Sequence, residues 1–222
     1  MKFVMDIGMM RVKKFFSFAI LLFATQVVAQ TNCLLFDMTA REPVFQSGER
    51  ITYTLSYTVM GVWTNVGEVV FNTTLREEGT RRPHYQIDAV GKTFAFFDKI
   101  FKVRDHFVTR IDAKTFQPFY MHRTIHEGSY KLKSTGHFNR ANSAIYATTQ
   151  RLDKERPERR DTLPLTPCTF DMVSLFYYYR NADFSKMKEK TMYDVELALD
   201  DKVYVINYKL LGREEQRVKG VG

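Results

Sequence analysis

Two histidines four residues apart, His122 and His126, have the spacing of a metal-binding pair. On a helix this spacing would place both imidazoles on one face. The residues around them instead alternate between apolar and polar types, which predicts a strand, and in a strand their Cα atoms stand ~13 Å apart. A hairpin turn at Glu127-Gly128 would place His122 opposite Lys133 and His126 opposite Ser129, so no further histidine joins them. The sequence therefore predicts no metal site.

Candidate nucleophiles are present, but none stands beside a recognisable base. They are Ser47, Cys168 and Ser174. The chain lacks the Gly-x-Ser-x-Gly elbow of the α/β-hydrolases and any glycine-rich loop that could hold a phosphate. We therefore assign no catalytic residue and expect no cofactor. The remaining route to an enzyme is a pair of carboxylates in one cleft, which would have to come from distant parts of the chain.

Aromatic side chains suit a different chemistry, the binding of an apolar or glycan ligand. The candidates for the lining of such a site are Trp63, Phe94, Phe96 and Phe97. The alternative role for these rings is ordinary core packing.

One charged residue is expected to lie on an apolar strand face. Asp105 alternates in phase with Phe107 and Ile111, so its carboxylate should point toward the core. A buried charge needs a partner. We expect that partner to be Arg180, at the end of a predicted helix.

The N-terminus has the organisation of a secretory signal. Arg11, Lys13 and Lys14 precede the apolar run Phe15–Phe23, and a small-residue cleavage site ends at Ala29. We expect residues 1–29 to be removed and residues 30–222 to form one exported domain in the periplasm or facing the envelope. The apolar run is too short to cross a bilayer, and the sequence predicts no transmembrane segment in the mature chain.

The formal net charge of +8 includes the basic residues of the signal. The other cations are scattered and mixed with acids, even in the densest run, Arg151 to Arg160. Nucleic-acid binding needs a basic patch and a reading element. We therefore expect no nucleic-acid partner.

The chain has two cysteines, Cys33 and Cys168. Asn32 precedes Cys33 where lipid attachment would want a small residue, so we do not expect a lipoprotein anchor. In an exported protein two cysteines predict one disulfide. The alternative is a pair of buried free thiols.

Apolar and polar residues alternate through most of the mature chain, which predicts an antiparallel sheet or a partial or open barrel. The predicted strands span about 51–58, 67–75, 85–90, 101–112, 116–126, 130–138, 144–149, 193–199 and 203–209. One helix is predicted over about 167–181, with Thr166 as its N-cap and Pro167 in its first position. Its aromatic residues require cover, so we place it on the concave face of the sheet.

Several segments together resemble domain-of-unknown-function family 3108, in its Bacteroidetes-type branch. They are Cys33, Phe45–Tyr53, Val66–Glu68, Phe101–Asp105, Pro118–Tyr120 with Glu127-Gly128, and Cys168–Ser174 with Tyr179-Arg180. The resemblance implies an exported, β-rich domain of Gram-negative bacteria, and it implies no reaction. Relatives continue with further strands beyond a segment like Leu211–Glu214, so this chain is expected to be short at its C-terminus.

The function expected from the sequence is a non-enzymatic binding or envelope-assembly module for an apolar or glycan ligand. Two alternatives remain open. One is an enzyme acting on an envelope polysaccharide or lipid. The other is a structural partner of an outer-membrane protein complex.

Overall fold

Eight antiparallel strands form the main sheet of this protein, and each strand pairs with the one before it in the chain. The structure is a computed structural model that describes residues 32–36, 38, 42–59, 61–77, 79 and 82–214. The predicted signal peptide, residues 1–29, lies outside the described residues.

The strands of the main sheet are β1 (Arg50–Val59), β2 (Val62–Arg76), β3 (His84–Thr93), β4 (Arg104–Asp112), β5 (Pro118–Glu127), β6 (Tyr130–Asn139), β7 (Ala144–Arg151) and β8 (Arg159–Pro164). A second sheet has the order β11-β10-β9, with β9 (Thr169–Phe170), β10 (Met192–Leu199) and β11 (Lys202–Lys209). The helices are α1 (Ala95–Asp98) and α2 (Met172–Arg180), followed by a 3-10 turn over Phe184–Lys186. The fold is therefore mainly β with one main helix, as predicted, and the main sheet is open: β1 and β8 are its edges.

Helix α2 covers one half of the main sheet, on the face that we call the inner face. The Tyr177 hydroxyl lies 2.7 Å from Thr73 Oγ1 of β2, and the Thr109 hydroxyl of β4 donates to Asp171 at 2.7 Å. The core under the helix joins residues of α2 with β3, β4 and β10, among them Ile87, Ile111, Tyr177 and Val195.

The second sheet covers the other half of the inner face. Ala198 of β10 belongs to a second core cluster with Met121, Ile145 and Leu163. Asp200 in the β10–β11 turn forms an ion pair with Arg123 of β5, and Asp201 forms one with Arg159 of β8. Because of these contacts, the two sheets enclose the apolar face that the alternation in β5, β6 and β7 predicts.

The predicted start of the main helix was wrong. The N-cap is Asp171, whose carboxylate accepts hydrogen bonds from the amides of Val173 and Ser174, and the Ser174 hydroxyl accepts one from the Asp171 amide. Thr166 cannot cap the helix, because Thr169–Phe170, which lies between Thr166 and the start of the helix, is extended and pairs with β10 in parallel. The capping box therefore begins the helix five residues later than Pro167.

The predicted disulfide between Cys33 and Cys168 is present, with the two Cα atoms 6.2 Å apart. Next to it, the Phe36 amide donates to the Tyr178 hydroxyl at 2.7 Å. The bridge therefore ties the N-terminal lead to the segment just before α2.

The predicted turn between β5 and β6 was wrong: the turn lies one residue later in the chain, so the pairing of the two strands is shifted by two residues. Gly128, with a φ of +57°, and Ser129 form the turn, and Glu127 pairs with Tyr130. His122 therefore faces Thr135, and His126 faces Lys131. The left-handed conformation that Gly128 adopts suits the first position of a two-residue hairpin loop.

Candidate ligand-binding site

An open cavity of about 640 Å³ lies at one end of the main sheet. We call it the hairpin-end cavity. It is lined by Arg82, Asp112, Thr115, Gln117, Pro118, Phe119, His137, Phe138, Asn139, Arg140, Ala141 and Tyr146. These residues lie in the β2–β3, β4–β5 and β6–β7 connections and in the strands next to them, and the three connections meet at one end because neighbouring strands are antiparallel. The volume is in the range of ~300–1,000 Å³ that is usual for ligand sites.

Gln117 lines this cavity at the end of the β4–β5 turn. The turn is fixed by Asp112, whose carboxylate accepts from the amides of Lys114 and Thr115, both at 3.0 Å. Gln117 then donates through Nε2 to the carbonyl oxygen of Pro167 at 3.1 Å. Its Oε1 is buried and has no hydrogen-bond partner among the described residues. Burial of a polar atom without a partner is unfavourable.

Arg140 brings a cation to the same cavity. Its guanidinium donates to the carbonyl oxygens of Thr166 at 2.9 Å and Thr169 at 3.4 Å. The residue keeps an exposed part, yet burial of the charged group, with a smaller contribution from Arg82, lowers the pKa of Arg140 to about 10. No carboxylate of the described residues lies within ion-pair distance of it. The guanidinium is therefore charged at neutral pH and is available to an anion.

Aromatic rings supply the apolar part of the lining. The guanidinium of Arg82 lies 4.9 Å from the centre of the Phe119 ring and 3.4 Å from the carboxylate of Asp112. His137 and Tyr146 face each other across β6 and β7, and the Tyr146 hydroxyl accepts a hydrogen bond from Asn142 at 3.0 Å. The cavity thus combines ring faces with the Arg140 guanidinium, which has no carboxylate partner among the described residues. This combination suits a hydroxylated ligand with an acidic group.

The aromatic residues singled out in the sequence lie at the opposite end of the sheet. Trp63 is 72% exposed near the β1–β2 hairpin, and Phe96 is 70% exposed in α1. The rings of Phe96 and Phe97 are 5.2 Å apart, and the Phe94 amide donates to Val66. No ring contact links Trp63 to these phenylalanines, all of which are described. The structure therefore places the four candidates at one end of the sheet.

The expected ion pair between Asp105 and Arg180 was wrong. Arg180 makes two hydrogen bonds of 2.8 Å to the carboxylate of Glu49, just before β1. Asp105 lies on the inner face as predicted, but its carboxylate accepts from the His126 amide at 3.0 Å. The reason is that α2 runs from β4 toward β1 and β2, so its C-terminal end lies far across the sheet from Asp105.

Asp105 and Glu127 are two carboxyls that lie close enough on the inner face for their charges to interact. Burial, followed by the charge of Asp105, raises the pKa of Glu127.

The described residues contain no group of three histidine, cysteine, aspartate or glutamate side chains that could hold a metal ion. His122 instead contacts the Thr135 hydroxyl at 3.0 Å, and burial lowers the pKa of its imidazole.

Within the described residues, no helix combines the length and apolarity needed to cross a bilayer.

The hairpin-end cavity was missed in the sequence, although a signal for it exists. Asp112 and Asn139 each follow a strand, and each begins a turn through its own side chain. In a meander, turns after alternate strands lie at the same end of the sheet. Pairing these turn signals would have brought Gln117 and Arg140 together.

The fold and cavity define a class: an open eight-stranded antiparallel sheet, covered by a helix and a second small sheet, with a ligand-sized, mixed polar and aromatic cavity at its hairpin ends. Within that class, the chain belongs to the family described as protein of unknown function (DUF3108), whose model matches residues 52–221. No curated protein and no solved structure matches the chain.

Proposed function

We propose that this protein is an exported, non-enzymatic binding module of the cell envelope, and that its ligand is an acidic glycan held in the hairpin-end cavity. The observation that carries the proposal is the position of the Arg140 guanidinium, which lines an aromatic cavity and has no carboxylate within ion-pair distance among the described residues.

The lining favours a glycan over an apolar ligand. An acyl chain would bury the charge of Arg140 without a partner, which is unfavourable. A sugar acid offers a carboxylate to the guanidinium and C–H faces to the rings of Phe119 and Tyr146. The charge of Arg140 then has a partner.

Export is supported by the composition of residues 1–29 and by the disulfide, since such bonds persist in oxidising compartments. Expression in a Gram-negative host, followed by osmotic-shock fractionation and N-terminal sequencing, tests this part. We expect a periplasmic protein that begins at Gln30. Recovery of the uncleaved chain in the cytoplasm would contradict it.

The binding test is calorimetric titration of the purified protein with trigalacturonate, an acidic probe, and with galactotriose, its neutral counterpart. We expect the acidic probe to bind more tightly. Substitution Arg140→Met should weaken trigalacturonate binding about 10- to 100-fold, because a charged hydrogen bond contributes about 1.5–3 kcal/mol. The binding of galactotriose should change much less.

The matched control is Arg160→Met, an exposed arginine paired with Glu158 outside the cavity. It should leave both titrations unchanged. Equal affinity for the two probes, or equal losses from Arg140→Met and Arg160→Met, would refute the acidic-glycan proposal.

A further inference from the structure

The edge strand β1 has few of the features that usually prevent edge-to-edge pairing of sheets. Its one charged residue is Arg50 at its start, residues 51–59 contain no charge and no proline, and the irregularity in its pairing with β2 falls at Leu55/Ser56. Among the described residues β1 pairs only with β2. The opposite edge, β8, carries Arg159, Arg160, Asp161 and Pro164. Charges and proline on an edge strand discourage a new partner. Only one of the two edges of the main sheet is protected in this way.

The sequence of β1 is also self-complementary. Residues 51–59 read Ile-Thr-Tyr-Thr-Leu-Ser-Tyr-Thr-Val, which is symmetric by residue type about Leu55. Antiparallel pairing with a second copy about that residue would place like with like: Ile51 opposite Val59, Thr52 opposite Thr58, Tyr53 opposite Tyr57 and Thr54 opposite Ser56. Aromatic pairs and hydroxyl pairs of this kind stabilise neighbouring strands.

The exposed fractions of the inner-face side chains are consistent with an unfilled edge. They are 44% for Tyr53, 47% for Leu55 and 69% for Tyr57. The strand itself is anchored, since the Tyr53 ring packs edge-on against Phe71 at 5.9 Å and Phe176 at 5.8 Å. Residues 51–59 therefore present a rigid, apolar and uncharged template.

We propose that two copies of this chain pair through β1, antiparallel and with a two-fold axis at Leu55, to join their main sheets into one sheet of sixteen strands. A two-fold axis requires the same surface on both partners to be self-complementary. The symmetry of residues 51–59 meets that requirement, whereas an extended peptide from a different protein would not need it. The surface lies at the sheet edge, away from the hairpin-end cavity, so this inference does not rest on the glycan proposal.

The edge strand of the second sheet shows the contrast. β11 begins with Lys202 and ends with Lys209. Its sequence is not symmetric: with either Val205 or Ile206 as the centre, the residues on one side do not match in type the residues on the other side. Val205 is 57% exposed, compared with 47% for Leu55. It therefore provides a matched control position on an edge strand.

The test is sedimentation equilibrium of the purified protein, with the disulfide intact, across a concentration series. The wild-type chain should sediment as a dimer. Leu55→Lys and Leu55→Glu should each raise the dimer dissociation constant at least about tenfold, because like charges then lie opposite each other at the axis. Val205→Lys should leave it unchanged.

An equimolar mixture of the Leu55→Lys and Leu55→Glu chains should restore the dimer, since opposite charges then meet at the axis. This complementation also shows that both variants are folded, and circular dichroism checks each one separately. A wild-type monomer up to the solubility limit would overturn the inference. So would a dimer that the two Leu55 variants leave intact, or a mixture that stays monomeric.

Discussion

The buried carboxyl of Asp171 gives the sharpest test of how α2 is held on the sheet. Its Oδ1 accepts hydrogen bonds from the amides of Val173 at 3.0 Å and Ser174 at 3.2 Å, and from the Thr109 hydroxyl at 2.7 Å. Its Oδ2 is buried and has no hydrogen-bond partner among the described residues. Burial raises the pKa of Asp171 despite these bonds.

Substitution Asp171→Ala removes the cap and leaves the Thr109 hydroxyl unpaired in the core. Loss of an N-cap costs about 1 kcal/mol, and an unsatisfied buried donor costs about 1–3 kcal/mol. We therefore expect the free energy of unfolding to fall by about 3 kcal/mol. Asp171→Asn keeps an oxygen that can accept the same three bonds, so it should lie within about 1 kcal/mol of the wild type in mild acid.

The pH dependence separates the wild type from Asp171→Asn. Because the pKa of Asp171 is higher in the folded than in the unfolded chain, its contribution is complete below the unfolded pKa of about 3.9 and is lost as pH rises through the folded pKa. Over that window the wild type should lose about 1.4 kcal/mol per pH unit relative to the amide variant.

Urea unfolding at a series of pH values from about 4 upward measures this difference directly. Other titrating groups are common to both chains and cancel in the comparison. A difference between wild type and Asp171→Asn that stays constant with pH would refute the argument, as would Asp171→Ala unfolding as late as the wild type.

Three further predictions concern other parts of the fold. Arg180→Met should lower the free energy of unfolding by about 3 kcal/mol in urea melts, because it leaves the Glu49 carboxylate, 20% exposed, without its partner. The double variant with Glu49→Gln should recover part of this loss. If it recovers nothing, the ion pair does not contribute as described. Replacing Cys33 and Cys168 together by serine should cost about 5 kcal/mol, since the bridge closes a separation of 135 residues; an unchanged melt would contradict this. Gly67→Ala should lower the free energy of unfolding by about 1–3 kcal/mol, because the new Cβ would lie 2.5 Å from a backbone carbonyl oxygen of β3. An unchanged thermal melt would contradict this, since it would mean that β2 and β3 can move apart at this point.

Strand periodicity predicted most of the fold correctly because nearly every strand has one buried face. The alternation predicted over 101–112 and 130–138 is found again in the burial of β4 and β6. β8 was missed because Arg159–Pro164 belongs to a charged stretch and lies at an edge of the sheet. Few of its side chains are buried there, so apolar and polar residues do not alternate clearly in its sequence. β9 is two residues long and pairs in parallel with a strand from much later in the chain.

The candidate site could not be read from residue types alone. Arg180 has Glu49 as its partner only because α2 crosses the sheet toward β1, and that direction is set by tertiary contacts such as Tyr177 with Thr73. Arg140 is available to a ligand because its hydrogen bonds go to backbone carbonyls, which carry no sequence signature. Local patterns specify strands and turns, whereas these pairings depend on the assembled layers.

The glycan-binding account is tested most directly by backbone amide chemical shifts recorded during titration with trigalacturonate. The account predicts that the shifts concentrate in Asp112–Phe119 and His137–Tyr146, around the hairpin-end cavity. Shifts confined to Trp63 and Phe94–Phe97 at the other end of the sheet, or no shifts at saturating probe, would contradict it.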